Sequence, residues 1–360
     1  MGAALGCGAP GGGALSFEAI RTLLCDRPDA IDAVMEMVIS KKQKRIAEIA
    51  PVLWQRLEGC DLCPRKCGVN RLAGEKGFCA LSGDWVPVAS FCAHRGEEPV
   101  LSGRAGSGTI FFSHCNLGCV FCQNHQISDN SLDPGPSMVR IEELARIMIV
   151  LQAMGCHNIN FVTPTHVLPH IVAALKIALD QGLALPLVYN CGGYENAEVI
   201  RLLDGVMDIY LPDFKYMDGA LARTYSAAPD YPAAAAAAFR EMYRQTGSGL
   251  DIDPATQTAR HGMIIRHLVL PGGVKNSVDV LAWIADNLSP GIHLSLMSQY
   301  HPPAGLRRPG PPLDRPLFPD EYEAVSARAD ALGFENGWFQ EMESHDTYRP
   351  DFKKAHPFEG

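Results

Sequence analysis

From about residue 109 onward, short apolar runs alternate with stretches whose apolar residues recur at helical spacing. Thr109–Ser113, Asn158–Val162, Leu185–Asn190, Met207–Leu211, Met263–Leu270 and His293–Tyr300 are rich in β-branched, aromatic and aliphatic residues, and each predicts a buried strand. Between them, Ile141–Met154 places Ile141, Leu144, Ala145, Met148 and Leu151 on one helical face. Glu142 and Glu143 suit the start of that helix and Gly155 its stop. Val167–Gln181, Glu195–Asp204 and Val278–Leu288 repeat the pattern, with Gly182 and Gly205 as stops for the first two. Six strands alternating with helices imply an α/β fold of parallel βαβ units with right-handed crossovers. That is two units short of a full TIM barrel, so the expected architecture is an incomplete, open (β/α)6 TIM-like barrel. In such folds the chemistry gathers at the carboxyl ends of the strands.

Two segments interrupt the alternation. Gly219–His261 is longer than one crossover requires; it carries the run Ala233–Ala238 within a predicted helix, and its polar part, Gly247–Gly262, reads as a surface loop or hairpin. His301–Pro316, dense in proline and arginine, reads as an extended connection. Ahead of the barrel, residues 16–58 read as helical, through Ile20, Leu23 and Leu24 and then Ile31 to Leu57. The organisation expected is a flexible tail (1–15), a helical and Cys-rich metal-binding module (16–104), a core domain (105–300) and a C-terminal extension (301–360). Met1–Leu15 lacks the basic leader and long apolar core of a signal peptide.

Composition narrows the class. With 47% hydrophobic and 20% charged residues over 360 positions, one large domain and a smaller one can be packed. A net charge of −9 argues against a nucleic-acid binder, which would show a basic stripe. The one local basic run, Lys41 to Arg45, reads as the solvated face of a helix. No apolar run approaches the roughly 20 residues that span a bilayer, so no membrane partner is expected. A cytoplasmic location follows as the expectation, and there twelve cysteines point to metal or redox chemistry before disulfides.

Cys115, Cys119 and Cys122 directly follow the first predicted strand at the spacing C-x3-C-x2-C. Thiolates are the usual iron–sulfur ligands. Three from one loop can hold three corners of a cubane and leave one iron open for substrate. A zinc site completed by His114 is the plainer alternative, although neighbouring side chains rarely converge on one ion.

The string GSGTIFFSHCNLGCVFCQNHQIS around these cysteines resembles the radical S-adenosylmethionine (SAM) superfamily, in particular the subgroup related to pyruvate formate-lyase activating enzymes. The likeness continues through YNCGGYE, DIYLPDFKY, RHLVLPG and LMSQYHP, over roughly residues 105–300. It implies a [4Fe–4S] cluster on Cys115, Cys119 and Cys122, whose open iron binds SAM, and a 5′-deoxyadenosyl radical that abstracts a hydrogen atom. It places Phe121, the aromatic residue of the motif, beside the cofactor, together with Asn190 and Gly192 at the end of the third strand. Asp213 and Lys215 align with an Asp-x-Lys pair that contacts SAM; residues two apart on a strand end do face the same way. The second strand ends in Thr163-Pro164-Thr165-His166 where the superfamily often carries Gly-Gly-Glu, so backbone carbonyls or the hydroxyls of Thr163 and Thr165 must do that work; His166 touches substrate, orders the loop or caps the next helix. Arg266 lies among apolar neighbours in the fifth strand, where a charge is costly unless it is paired or lines a polar cavity; it is assigned to the cofactor cavity. Gln299, Tyr300 and His301 end the sixth strand as substrate contacts.

A second cluster, Cys60-x2-Cys63-x3-Cys67-x11-Cys79, lies in a polar, Gly-rich segment. Four thiolates suit a closed zinc site or a second iron–sulfur cluster, with Cys92 close enough in sequence to replace a member. Cys7, Cys25, Cys156 and Cys191 read as ordinary residues. The function expected is radical chemistry that activates or modifies a protein substrate. The alternatives are the same chemistry on a small molecule or peptide side chain, and a non-catalytic electron-transfer module. Flavodoxin or ferredoxin is the electron donor expected.

Overall fold

The computed structural model describes residues 28–83, 85–133, 137–302, 310–342, 350–354 and 357–358, with residues 28–36 described as backbone alone. The expected tail, Ile20, Leu23, Leu24, Cys7 and Cys25 lie outside the described residues. No helix among those described is long and apolar enough to cross a membrane.

All six expected strands form and pair in parallel: β2 (Ser107–Phe112), β4 (Ile159–Val162), β5 (Leu187–Cys191), β6 (Ile209–Pro212), β8 (Ala259–Leu268) and β9 (His293–Met297). The sheet extends beyond them at both ends. β1 (Val86–His94) runs antiparallel along β2 and carries the two-residue β3 (Met138–Val139), while β10 (Gly337–Phe339) adds a parallel strand beyond β9. The sheet order is β10-β9-β8-β6-β5-β4-β2-β1-β3, an α/β arrangement in keeping with a partial TIM-like barrel. The polar segment after the alanine helix forms the expected hairpin, β7 (Asp251–Ile252) against β8.

The crossover helices are α4 (Ile141–Ala153), α5 (Leu168–Asp180), α6 (Ala197–Leu202), α8 (Tyr231–Thr246) and α9 (Val274–Asn287). They follow α1 (Pro28–Gln55) and the single turns α2 (Pro99–Ser102) and α3 (His125–Ser128); α7 (Gly219–Ser226) precedes α8, and α10 (Pro319–Ala331) lies between β9 and β10. Strand alternation sorts the side chains. Ile159, Phe161, Tyr189 and Tyr210 join the large core under the helices, whereas Val188, Ile209, Leu211 and Ile264 form a separate inner core. Leu101 of α2 is fully buried in that inner core, so the β1–β2 connection packs inside the barrel.

α1 docks through Ile46, Ile49 and Leu53, and Leu57 follows in the turn just beyond it; each is essentially inaccessible. At about 1.5–3 kcal/mol per buried aliphatic side chain, this face is what holds the helix on the barrel. The basic run on it is not wholly solvated, a departure from the expected exposed face. Lys42 is buried and its Nζ lies 2.6 Å from Asp208 Oδ2, while Arg45 donates to the carbonyls of Asp204 and Leu202. The run straddles the edge of the buried face, so half of it meets the acidic end of the β5–β6 crossover.

Candidate active site

The cysteine loop leaves β2 through His114, whose φ of 68° lies in the left-handed region and reverses the chain. Backbone and side-chain bonds then pin it from four directions. Asn130 accepts from Cys115 N and donates to Cys115 O, both at 2.9 Å, and Asn116 Nδ2 donates to Tyr194 O at 2.7 Å. Gly118 N and Val120 N donate to the carbonyls of Ser226 and Tyr225 at the end of α7. Gln123 Nε2 donates to Gln299 O at 3.1 Å, tying the loop to the end of β9. A loop held this way presents its thiols without paying for ordering at the moment of binding.

Each sulfur has a donor beside it. Leu117 N donates to Cys115 Sγ at 3.3 Å, Ser128 Oγ to Cys122 Sγ at 3.2 Å, and Ser226 Oγ lies 2.9 Å from Cys119 Sγ. Burial pushes the Cys115 and Cys119 thiols up, and Lys215 pulls both the other way. Donors and a cation arranged around three partly buried sulfurs offset that burial in favour of the thiolate, the form a cluster requires.

Lys215 and Asp213 stand over this loop. Lys215 Nζ lies 2.6 Å from Asp213 Oδ2 and 6.0 Å from the centre of the Phe121 ring. Burial disfavours the Lys215 charge, but the Asp213 carboxylate and the Cys119 and Cys122 sulfurs outweigh it and hold the ammonium above the usual lysine range. The pair is only partly exposed and faces the thiols, unlike a surface salt bridge. Phe121 is buried edge-on against Tyr216.

The Asn190–Gly193 turn closes on the same loop. A Cβ on Gly192 would stand 3.0 Å from Leu117 and 3.6 Å from Lys215 Cε, so this backbone runs close under the cysteine loop and the lysine. Gly193 has φ 78°, and a Cβ there would meet Asp213 O at 2.3 Å. Asn190 is buried and, by strand register, shares the inner face with Val162 and Leu211.

Other expected site residues are engaged elsewhere. Thr165 Oγ1 donates to Glu195 Oε1 at 2.7 Å, and Tyr189 donates to the other oxygen at 2.9 Å. Burial lifts Glu195 to about 7, with those hydrogen bonds and one from Cys191 pulling it down. Thr163 takes a φ of 59° and donates its N–H to Asn190 O, so it joins the ends of β4 and β5 through backbone. His166 is buried, with Nε2 2.8 Å from Ser113 O; it orders the loop. Tyr300 is buried and donates to Leu313 O, and Gln299 is bonded to Gln123 and Gln340.

Arg266 faces the barrel interior next to Asp213, but its guanidinium is held bidentately by Glu98, at 2.7 and 2.6 Å, and also by Glu97. Burial opposes ionisation of Glu98, and Arg266 reverses this and keeps its carboxyl below the usual range. Asn160 donates to Glu97 at 2.9 Å. These two carboxylates come from the β1–β2 connection and went unrecognised in the sequence, as did Ser226 and Ser128. Nothing in local spacing announces the partners of Glu97, Glu98 and Ser226, each more than a hundred residues away, whereas Ser128 lies six residues from Cys122.

Among the described residues, no three Cys, His, Asp or Glu side chains converge closely enough to hold a single metal ion. A cubane carries its own sulfides and holds its cysteine sulfurs farther apart than an ion does. The three-thiol loop, with its sulfur donors and the Gly192 cradle, fits such a cluster.

A model of the radical SAM superfamily matches residues 109–240. Uncharacterized protein MJ0674 of Methanocaldococcus jannaschii is 31% identical over 280 residues, spanning 76% of this chain and 75% of that protein. A lipoyl synthase of Kocuria rhizophila is 26% identical over 172 residues, spanning 44% of this chain and 50% of the synthase. SuiB of Streptococcus suis overlays with a TM-score of 0.41 at 11% identity, over 64% of this chain and 47% of SuiB. The chain thus spans about half the length of the last two. Residues 109–240 form a radical SAM domain, a family that implies a [4Fe–4S] cluster and SAM as cofactors.

Proposed function

We propose that this protein cleaves SAM reductively and directs the resulting 5′-deoxyadenosyl radical at a protein substrate, in the manner of the activating enzymes its motif strings resemble. The observation that carries the cleavage is the Asp213–Lys215 pair, 2.6 Å apart and facing the three thiols of one loop. When bound, the cluster supplies the single electron that breaks the S–C5′ bond, and Cys115, Cys119 and Cys122 would hold it. Lys215 offers an ammonium for the methionine carboxylate of SAM, and Asp213 an acceptor for its amino or hydroxyl groups. Gly192 lets the backbone run under the ligand without a side chain in the way. Leu101 and the buried Arg266–Glu97–Glu98 group fill the inside of the barrel below, which keeps water from the radical. Flavodoxin or ferredoxin in the cytoplasm would supply the electron.

The likeness of the strings in residues 106–128 and 189–216 supports a protein substrate. One observation favours a small molecule instead. Phe352 and Phe358 of the C-terminal segment pack on Phe111 and His94 beside the cysteine loop, and Phe352 N donates to Gln126 at 2.7 Å, narrowing that side of the barrel. The two readings part on one assay: 5′-deoxyadenosine formation with SAM, reductant and either the dialysed macromolecular fraction or the ultrafiltrate of a cell extract. Stimulation by the dialysed fraction alone supports a protein substrate; stimulation by the ultrafiltrate alone overturns it.

A further inference from the structure

Cys60, Cys63, Cys67 and Cys79 come from one short segment and line one pocket, which they share with Asn116 of the radical SAM loop. Their sulfurs are served by backbone donors. Arg65 N donates to Cys63, Leu81 N to Cys79, and Phe78 N to Cys67 at 3.4 Å. Two of these repeat the arrangement at Cys115, where the N–H two residues on points at the sulfur. A buried neutral thiol gains little from such a donor, whereas a thiolate bound to metal is stabilised by it.

Charge points the same way. Arg71 is 2% exposed, lines the pocket and donates from Nη1 to the His166 carbonyl at 2.8 Å, while its Nε has no partner. Arg65, on the same pocket, donates to the carbonyls of Asn116, Ser226 and Ala227. Among the described residues no carboxylate forms an ion pair with either arginine. A buried guanidinium without an anion is costly, and Arg71 shares this pocket with Cys79, on which its charge acts. Protonated thiols would leave Arg71 without a counter-charge there; thiolates around a metal centre would not.

The spacing then separates the two kinds of centre. A zinc ion draws its four sulfurs into contact around one point, and among the described residues no three such ligands converge on a single ion. The four sulfurs surround a space, as the three of the radical SAM loop do. Gly77 borders it with no room for a side chain, since a Cβ would stand 2.9 Å from Cys67 Sγ.

We propose that Cys60, Cys63, Cys67 and Cys79 hold a second [4Fe–4S] cluster. It lies beside the first, because Arg65 bonds the Asn116 carbonyl and Ser226 O, and Ser226 Oγ reaches Cys119 Sγ. Cys67 is the exposed member, so this cluster has a face on solvent.

The test is a count of iron, acid-labile sulfide and zinc in the full chain after anaerobic reconstitution. The metal and sulfide count itself uses no SAM, so it stands or falls apart from the proposed reaction. The wild type should hold about eight irons and eight sulfides, and a Cys115→Ala/Cys119→Ala/Cys122→Ala variant about four of each, with a reduced-state EPR signal that SAM does not alter. A Cys60→Ser/Cys63→Ser variant should retain about four irons and a signal that SAM does alter. Wild type saturating at about four irons, with or without one zinc, overturns the proposal whether or not either variant folds.

Discussion

Ser226 Oγ lies 2.9 Å from Cys119 Sγ and 2.7 Å from the Tyr216 hydroxyl. The serine ends α7, 107 residues after the cysteine, so the crossover between β6 and β8 reaches back to a ligand of the first strand's loop. A hydroxyl donating to a cluster thiolate draws off negative charge and makes reduction easier. Ser226→Ala should leave the iron content unchanged and lower the midpoint potential of the SAM-binding cluster. An EPR-monitored redox titration checks this; an unchanged potential would reduce Ser226 to a packing role.

Gly192 and Gly193 are adjacent, but their substitutions should fail differently. Alanine at Gly193 meets a backbone carbonyl at 2.3 Å in a left-handed conformation, and should cost about 2 kcal/mol or more. Alanine at Gly192 meets the end of Leu117 at 3.0 Å and the Lys215 stem at 3.6 Å, contacts that can give way. The expected outcome is a lowered Tm for Gly193→Ala, and a near-normal Tm with weakened SAM binding for Gly192→Ala. Thermal unfolding and equilibrium dialysis distinguish the two.

Arg266 separates a structural ion group from a cofactor contact. Replacing it with Met leaves Glu97 and Glu98 buried without their cation, at a cost of about 3–5 kcal/mol. Urea unfolding should show that loss. Unchanged stability with lost SAM affinity would mean that Arg266 serves the cofactor and not the glutamates.

Glu195 makes stability depend on pH with a definite sign. Its carboxyl is lifted from 4.5 to about 7 in the fold, so between those values the folded state holds a proton that the unfolded state has released. Stability therefore falls as pH rises through that window, by roughly 3 kcal/mol at about 1.4 kcal/mol per unit. Glu195→Gln removes the titration while keeping an oxygen to accept from Thr165 or Tyr189. Denaturant unfolding from pH 4.5 to 8 should show a flatter profile for the variant; an equal slope in both proteins would contradict the assignment.

The six barrel strands were legible because parallel strands buried on both faces read as continuous apolar runs. β1 was hidden within the Cys-rich segment, where Pro87 argues against a strand, and β10 is too short to leave a pattern. Cys115, Cys119 and Cys122 stood out by spacing, and Asp213 and Lys215 by resemblance to an Asp-x-Lys pair. The partners of the buried charges did not stand out. Glu98 meets Arg266 across 168 positions, and Asp208 meets Lys42 across 166, so a strand charge and a helix charge acquire their meaning only when the barrel closes. Thr165 was noticed for its place at a strand end, but not its partner: its hydroxyl donates to Glu195, thirty residues on, and keeps its lone pairs to accept.

The central claim is that Cys115, Cys119 and Cys122 hold a cluster that cleaves SAM, and it is tested most directly by adding SAM to the reduced, reconstituted protein. The readouts are the EPR spectrum and the yield of 5′-deoxyadenosine, with Cys119→Ala alongside. The account predicts a signal shifted by SAM and 5′-deoxyadenosine formed by the wild type alone. A fully loaded cluster that ignores SAM, or equal product from Cys119→Ala, would contradict it.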